Sequence, residues 1–595
     1  MGKKKKAKSI HQDRLRDTFP KSIDERKKHN RFLPVFLKDV QQEKLSLCFL
    51  SIIIIACLLP FCNKAFHIDD PVYIWTAKHI LAHPIDFYGF SINWYGWEMP
   101  LYEVTKNPPL VSYYIALASL PFGFGEIPLH IAFLIPAFAA SLGTYYLARE
   151  ISTYPLVATL ASLLTPAFLV SSSTIMVDVT MLAFWVWSVV LWIWGIKNNK
   201  LWILCLSAIL AGLSALSKYY GICLVPLLFC FTLAEKRSLG WWVFPLLIPI
   251  TMMGMYDLMT NSLYNHHLFL EAFLFPQQFR ESVGFELSAH AFTGLSFMGG
   301  GFLIALLCTP LLWSRRMLLM GVFAFFITFA ILSATPFIGG FPLWGEDGTQ
   351  RWMIIFQLSL FIITGLVIMI LAFNDLYSQR DSKSLLLFLW LLGTFLFSTF
   401  LNWGINIRTM LPMAPVIGIL IARQFVRYQA CNPKFKSIHF IVPLVMSIII
   451  SLLVVEADYS LANTARNAAY QINEKYGDYR DHLQFTGHWG FQYYMQAFGF
   501  KHADSKHGVI YPNDIMAISG NNVFTQPFIE FLKRSEVQSL EPIILKPFRW
   551  LSTSHPKVGA GFYYHGFGPL PYAFGAVPDE FYYIIKFQGV RNNDQ

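Results

Sequence analysis

Apolar runs long enough to cross a bilayer recur along most of this chain, and no other feature restricts its fold as much. A backbone in hydrocarbon has to satisfy its own hydrogen bonds, which leaves the helix as the structure available to a run of about 20 apolar residues. Such windows fall at 45–64, 128–148, 154–171, 178–196, 201–217, 219–234 and 241–258, and again at 293–313, 317–335, 353–373, 384–401, 411–427 and 438–457. They predict a polytopic α-helical membrane protein with about thirteen transmembrane helices. With 55% hydrophobic and only 14% charged residues, the composition excludes a soluble globular protein.

Loop charge sets the parity. Residues 1–44 carry 14 Lys and Arg against 6 Asp and Glu, so +8 of the formal +10 precedes the first window. The run Lys3 to Lys6 with Lys8 fits a cytoplasmic arm near anionic lipid better than a nucleic-acid surface. No cleavable signal is visible ahead of Leu45, so the first apolar segment is expected to remain as a span. One further piece, Pro108 to Pro121, is shorter than a span needs. If it lies in the interface, then Arg149, Lys197, Lys236, Arg315, Arg380 and the 423–436 stretch all share the side of the basic arm. If it crosses, all of them face outward against the positive-inside rule. It is therefore read as an interfacial helix.

The expected organisation is a basic cytoplasmic arm (1–44), a transmembrane domain (45–457, with a first outer loop at 66–127) and a small C-terminal α/β domain (458–595) on the outer face. Strand-like runs stand at Leu483 to Thr486, Val509 to Tyr511 and Tyr582 to Lys586. None of the eight cysteines lies beyond Cys431, which leaves the terminal domain without a disulfide, and no Cys/His spacing suggests a structural zinc.

With this parity, polar residues at span ends converge on the outer face. The pair Asp69-Asp70 follows the first span, with Pro71 next, a pattern that also suits a helix N-cap at Asp70. Asp178 begins a span after Ser171-Ser172-Ser173-Thr174, where cap and active-site readings both apply. Lys218, followed by Tyr219, and Arg408 are outward cations of the type a phosphate headgroup requires, Arg with a two-pronged donor geometry. Lys106 precedes the interfacial helix, whose first turn has free N–H groups, and Arg351 closes the 336–352 loop ahead of another span. The aromatic set Trp94, Tyr95 and Trp97 suits an interfacial belt or a sugar platform. No Gly-rich phosphate loop, HExxH or nucleophile elbow occurs in a supporting context, so a soluble nucleotide donor is not indicated.

The acidic pair after the first span, the Pro-Pro-Leu helix, and the segments "STIMVDVTML", "GLSALSKYYGICLVP" and "NIRTMLPMAP" resemble the polyprenyl-phosphate-dependent GT-C glycosyltransferases. The likeness is to bacterial relatives of protein O-mannosyltransferases and of aminoarabinose lipid A transferases, and it covers roughly residues 45–430. It implies about thirteen spans, juxtamembrane helices in the first outer loop and an outward terminal domain. It also implies that Asp69 activates or positions the acceptor and that Asp178 is the family's later span-end acid. Two positions depart from the pattern: the pair is Asp-Asp where Asp-Glu is usual, and Asn107 stands before Pro-Pro where Lys or His is frequent.

The resulting expectation is a bacterial inner-membrane glycosyltransferase, N-terminus cytoplasmic and terminal domain periplasmic. It would take a sugar from a polyprenyl-phosphate carrier and pass it, with inversion, to a lipid, glycan or protein acceptor. Asp69 would be the base, Asp70 and Asp178 would shape the site, and Lys106, Lys218, Tyr219, Arg351 and Arg408 would handle the donor phosphate. A divalent metal is compatible with such a site, and no nucleic-acid partner is expected. The rival from another class, a transporter or flippase of lipid-linked sugars, predicts matched halves with broken helices, and no such symmetry is apparent.

Overall fold

The computed structural model describes residues 32–283, 286–432, 436–522 and 535–590; most of the basic arm expected at 1–44 lies outside them. The chain divides into two units, residues 1–53 and 54–595. The described part of the first belongs to the helix Phe32–Leu58. The second contains every other element.

Each of the thirteen apolar windows is largely helical. Among the described residues, nine helices are long and apolar enough to cross a membrane, and ten if the bent pair Pro155–Leu163 and Pro166–Ser172 counts as one span. That pair turns by 66°. Pro166 lacks the N–H that would continue the ladder, and Thr165 restarts it by accepting the Phe168 N–H on its side chain. The freed carbonyl of Leu164 accepts the hydroxyls of Ser447 and Ser451 from a neighbouring helix. The other windows hold the 17-residue helix Leu201–Ser217, the helix Met413–Cys431, and Leu287–Gly301 followed by the short turns Ile304–Leu307 and Thr309–Leu312.

Leu287–Gly301 ends in three glycines because its neighbours come very close. A Cβ on Gly299 would stand 1.9 Å from the Phe361 carbonyl oxygen, and one on Gly301 would stand 2.0 Å from the Ile407 side chain. The second of these contacts seats the residue next to Arg408. The segment expected in the interface forms the helix Leu110–Phe122, which packs against Asp70–Ala82. Thirteen residues rise only about 20 Å, short of a hydrocarbon core. Leu117, Leu120 and Phe122 are exposed on it while Val111, Ile115 and Ala116 are buried.

The C-terminal region carries a mixed sheet in the order Lys501–His502, Leu483–Thr486, Ile515–Ser519, Glu580–Val590, Ser535–Ser539, with Ile543–Leu545 also paired to Glu580–Val590. Leu483–Thr486 runs parallel to both its neighbours, and the helix Trp489–Ala497 makes the crossover to Lys501–His502. Two of the expected strands are present, but Val509 to Tyr511 is not one. Those residues precede a turn at Asn513, whose φ is +76°, and the strand begins at Ile515. Val509 and Tyr511 point to solvent, so their apolar character reflects a surface and no pleat. The expected junction at 457/458 falls inside the single helix Ile441–Tyr476.

Residues 551–574 return to the helical region. Phe562 accepts the Ile407 N–H, His565 exchanges bonds with Ile405, and the Tyr572 hydroxyl donates to the Gly300 carbonyl.

Candidate active site

The turn before Asp69 is strained. Ile68 has a φ of +50°, a left-handed conformation that a β-branched residue adopts at a cost of about 1–3 kcal/mol. Asp70 holds it. One oxygen of its carboxylate accepts the His67 N–H at 2.9 Å, and the other accepts the Ile175 N–H at 3.0 Å, tying the turn to the start of the helix Val177–Asn198. Asp70 is fully buried, and burial pushes its carboxyl up to about 7 although both N–H donors act in the opposite direction. The sequence suggests Asp70 as N-cap, but the helix is Asp70–Ala82 and the capping position belongs to Asp69. The Asp69 side chain makes no capping bond, which leaves its carboxylate for another partner.

That partner is Arg408, whose Nη2 donates to Asp69 Oδ2 at 3.1 Å. The other prong, Nη1, stands 3.7 Å from Asp178 Oδ2, and Lys218 Nζ donates to Asp178 Oδ1 at 2.8 Å. Lys218 also donates to Thr409 Oγ1 at 3.2 Å. Four charges from four segments thus form one chain, Asp69, Arg408, Asp178, Lys218, with formal charges summing to zero. Asp69 is its open end, with 34% of its side chain exposed against 1% for Asp178. Asp178 lies in the first turn of its helix, where the N-terminal dipole favours an anion, and Met176 holds the capping position. Among the described residues, Asp178 Oδ2 and Arg408 Nε are buried without a hydrogen-bond partner, so the cluster retains unused polar capacity at its centre.

The other predicted donor-binding residues sit apart from this chain. Lys106 Nζ pairs with Glu271 at 3.1 Å and also donates to the Tyr102 carbonyl. Its neighbour Asn107 reaches inward and donates to the Tyr73 hydroxyl at 3.2 Å. The Tyr219 hydroxyl donates to Asn402 Oδ1 at 3.3 Å. The Arg351 guanidinium lies 5.6 Å over the Phe341 ring.

A second, deeper cluster escaped sequence reasoning. Asp458 receives Lys64 Nζ, Thr553 Oγ1 and the Tyr563 hydroxyl, the last two at 2.7 Å each, and both Lys64 and Asp458 are fully buried. His67 Nε2 lies 3.9 Å from the same carboxylate, and burial draws its imidazole down to about 4. The face of Tyr563 carries the Arg408 guanidinium at 5.3 Å. The deeper cluster therefore supports the outer one through the Tyr563 ring, and His67 adds its bond to Asp70. Lys64 and Asp458 stand at the ends of two apolar windows, the signal that marks Asp178 and Lys218. Tyr563 has no comparable signal.

Among the described residues no three His, Cys, Asp or Glu side chains are grouped to hold a metal ion. The two carboxylates of the outer cluster are each paired with a cation.

Residues 106–262 match the model of a family described as dolichyl-phosphate-mannose-protein mannosyltransferase. That stretch contains Lys106, Asp178 and Lys218, and the match agrees with the GT-C resemblance of the motifs. Among solved structures, the oligosaccharyltransferase AglB of Archaeoglobus fulgidus, in complex with an inhibitory peptide and a dolichol-phosphate, is 15% identical, with 78% of this chain and 61% of that chain covered at a TM-score of 0.41. ArnT of Cupriavidus metallidurans bound to undecaprenyl phosphate is 14% identical, with 84% of this chain and 96% of that chain covered at a TM-score of 0.40. The chain thus spans less than two thirds of the length of the archaeal protein. No curated protein sequence matches.

Proposed function

We propose that this protein is an integral-membrane glycosyltransferase that moves a sugar from a polyprenyl-phosphate carrier to an acceptor hydroxyl or amine on the periplasmic face, with inversion. The observation that carries the reading is the two-pronged Arg408, set between the partly exposed Asp69 and the buried Asp178 with Lys218 beyond it. Asp69 is the base. Its carboxylate takes the acceptor proton as the acceptor atom bonds to the anomeric carbon, and the bond from that carbon to the phosphate oxygen breaks with its electron pair on the phosphate. The leaving phosphate gains one negative charge while Asp69 loses one. The neutral cluster therefore shifts by +1 where −1 develops, which is electrostatic stabilisation without reorganisation. Arg408 and Lys218 are the groups placed to receive that charge, and Arg408 Nε is an unused donor beside it. Asp178 keeps the two cations oriented, and Asp70 fixes the turn that presents Asp69. One base and a stabilised leaving group suffice for a single displacement, and hence for inversion.

The test is reconstitution of the purified protein in lipid vesicles with a polyprenyl-phosphate sugar and an envelope extract as acceptor. Discharge of the lipid donor and a product of opposite anomeric configuration by NMR are expected. Movement of the intact lipid-linked sugar between leaflets without discharge would establish the flippase reading in its place.

A further inference from the structure

The helix Trp489–Ala497 of the C-terminal region lies against the turn that presents Asp69. Gly490 lets the two backbones meet, since a Cβ there would stand 2.0 Å from the Phe66 carbonyl oxygen. One turn further along, the buried Tyr494 hydroxyl accepts the Phe66 N–H at 2.9 Å and donates to Glu126, the first residue of the helix Glu126–Ile151. A phenol has one proton to give, so these two bonds fix its orientation. Arg466 closes the other side of the turn. It pairs with Glu126 and donates to the Asn63 carbonyl at 3.1 Å and to Asn463 Oδ1 at 3.0 Å; that same oxygen accepts the Ala65 N–H at 3.1 Å.

We infer that Tyr494 is a positioning residue of the reaction, holding the turn that carries Asp69 so that the base meets the acceptor; the inference rests on the glycosyl-transfer reading above. Two residues separate Phe66 from Asp69, and both are constrained, His67 by its N–H bond to Asp70 and Ile68 by its left-handed φ of +50°. A shift of Phe66 therefore passes to Asp69 with little slack. The phosphate-handling cations have anchors of their own. Lys218 is held by Asp178 and Thr409, and Arg408 by Asp178 on its second prong and by the face of Tyr563. Loss of the Phe66 bond thus acts on proton removal and leaves donor binding in place. A misplacement of about 1 Å at a reacting group lowers a rate by about 10², so one bond that fixes the turn has leverage beyond its own strength. The same helix grips two more parts of the first outer loop. Gln492 Nε2 donates to the Asn93 carbonyl at 2.8 Å, at the end of the strand Ser91–Asn93, and the Tyr493 ring lies 5.1 Å from Lys78 Nζ on the helix Asp70–Ala82.

The test is single-turnover transfer from a polyprenyl-phosphate sugar by the full chain in lipid vesicles, with donor affinity measured on the same samples. Tyr494→Phe keeps the ring and removes the hydroxyl. It is expected to slow transfer about tenfold with donor affinity unchanged, and to speed amide exchange in residues 63–70. In the Asp69→Asn background the same substitution should change the remaining rate by less than about twofold, because a residue that acts through Asp69 has nothing left to position. Should Tyr494→Phe fail to fold, Glu126→Gln carries the same comparison, since it keeps an oxygen for the phenol and releases Arg466. Wild-type transfer in the variant, an equal loss in both backgrounds, or a loss of donor affinity overturns the inference and leaves the enzyme. No transfer by the wild type removes the glycosyl-transfer reading, and the positioning role with it.

Discussion

Arg408 rests 5.3 Å over the ring of Tyr563, and the hydroxyl of that ring donates to Asp458 at 2.7 Å. The terminal segment therefore supplies a wall of the candidate active site. Cation–π contacts contribute about 0.5–2 kcal/mol according to desolvation. Tyr563→Leu is accordingly expected to lower kcat by roughly two- to thirtyfold, while Tyr563→Phe, which keeps the ring and gives up only the bond to Asp458, should lose less. Steady-state transfer with both variants checks the order.

Arg408 also spans two carboxylates that a single ammonium cannot reach together. Arg408→Lys should therefore lower single-turnover transfer by about 10²–10³, the range for losing an oriented donor to developing charge. Wild-type turnover in that variant would remove Arg408 from the phosphate site. Lys218 already acts as a point charge on Asp178, so Lys218→Arg should be milder than Lys218→Met.

The Lys64–Asp458 pair makes a stability prediction. Both partners are fully buried, so removing one leaves a charge without compensation. Lys64→Met alone is expected to cost about 3–5 kcal/mol. The double variant Lys64→Met/Asp458→Asn should recover much of that, because neutral groups need no counter-charge. Thermal unfolding in detergent compares the two. A double variant no more stable than Lys64→Met would mean that the loss comes from Asp458's bonds to Thr553 and Tyr563.

Asp70 sets a pH dependence. Its carboxyl is raised by burial from an ordinary 3.8 to about 7. Between those values the folded chain binds the proton that the unfolded chain has released, so the stability contributed by this group falls as pH rises through the interval and levels off above it. Asp70→Asn should flatten that part of the profile relative to wild type. Unfolding temperatures at steps from pH 4.5 to 8 read it out, and an identical slope in the variant would assign it to another group, Glu580 being the first to examine because burial raises its carboxyl to about 7 as well.

The apolar windows were legible because a bilayer leaves the backbone few alternatives, and Asp69, Asp178, Lys218 and Arg408 stood out because charge at a span end is costly unless it is paired. The same rule applies to Lys64 and Asp458. The sequence makes Asp458 the first residue of a water-exposed domain, whereas the helix Ile441–Tyr476 runs through that point and buries it. Arg351 met the rule too and lies elsewhere, over Phe341, since sequence gives the level of a residue in the membrane and not its azimuth. Tyr563 could not be read at all. Its place depends on how residues 551–574 fold back against Ile405 and Ile407, a pairing across long sequence separation that no local pattern encodes.

The central claim is that Asp69 is the base, and the most direct measurement is single-turnover sugar transfer by Asp69→Asn in lipid vesicles, with donor binding followed in the same sample. The change keeps the side chain's size and an oxygen for Arg408 while removing the proton acceptor. The account predicts transfer slowed by at least about 10² with the donor still bound. Transfer at the wild-type rate would contradict it.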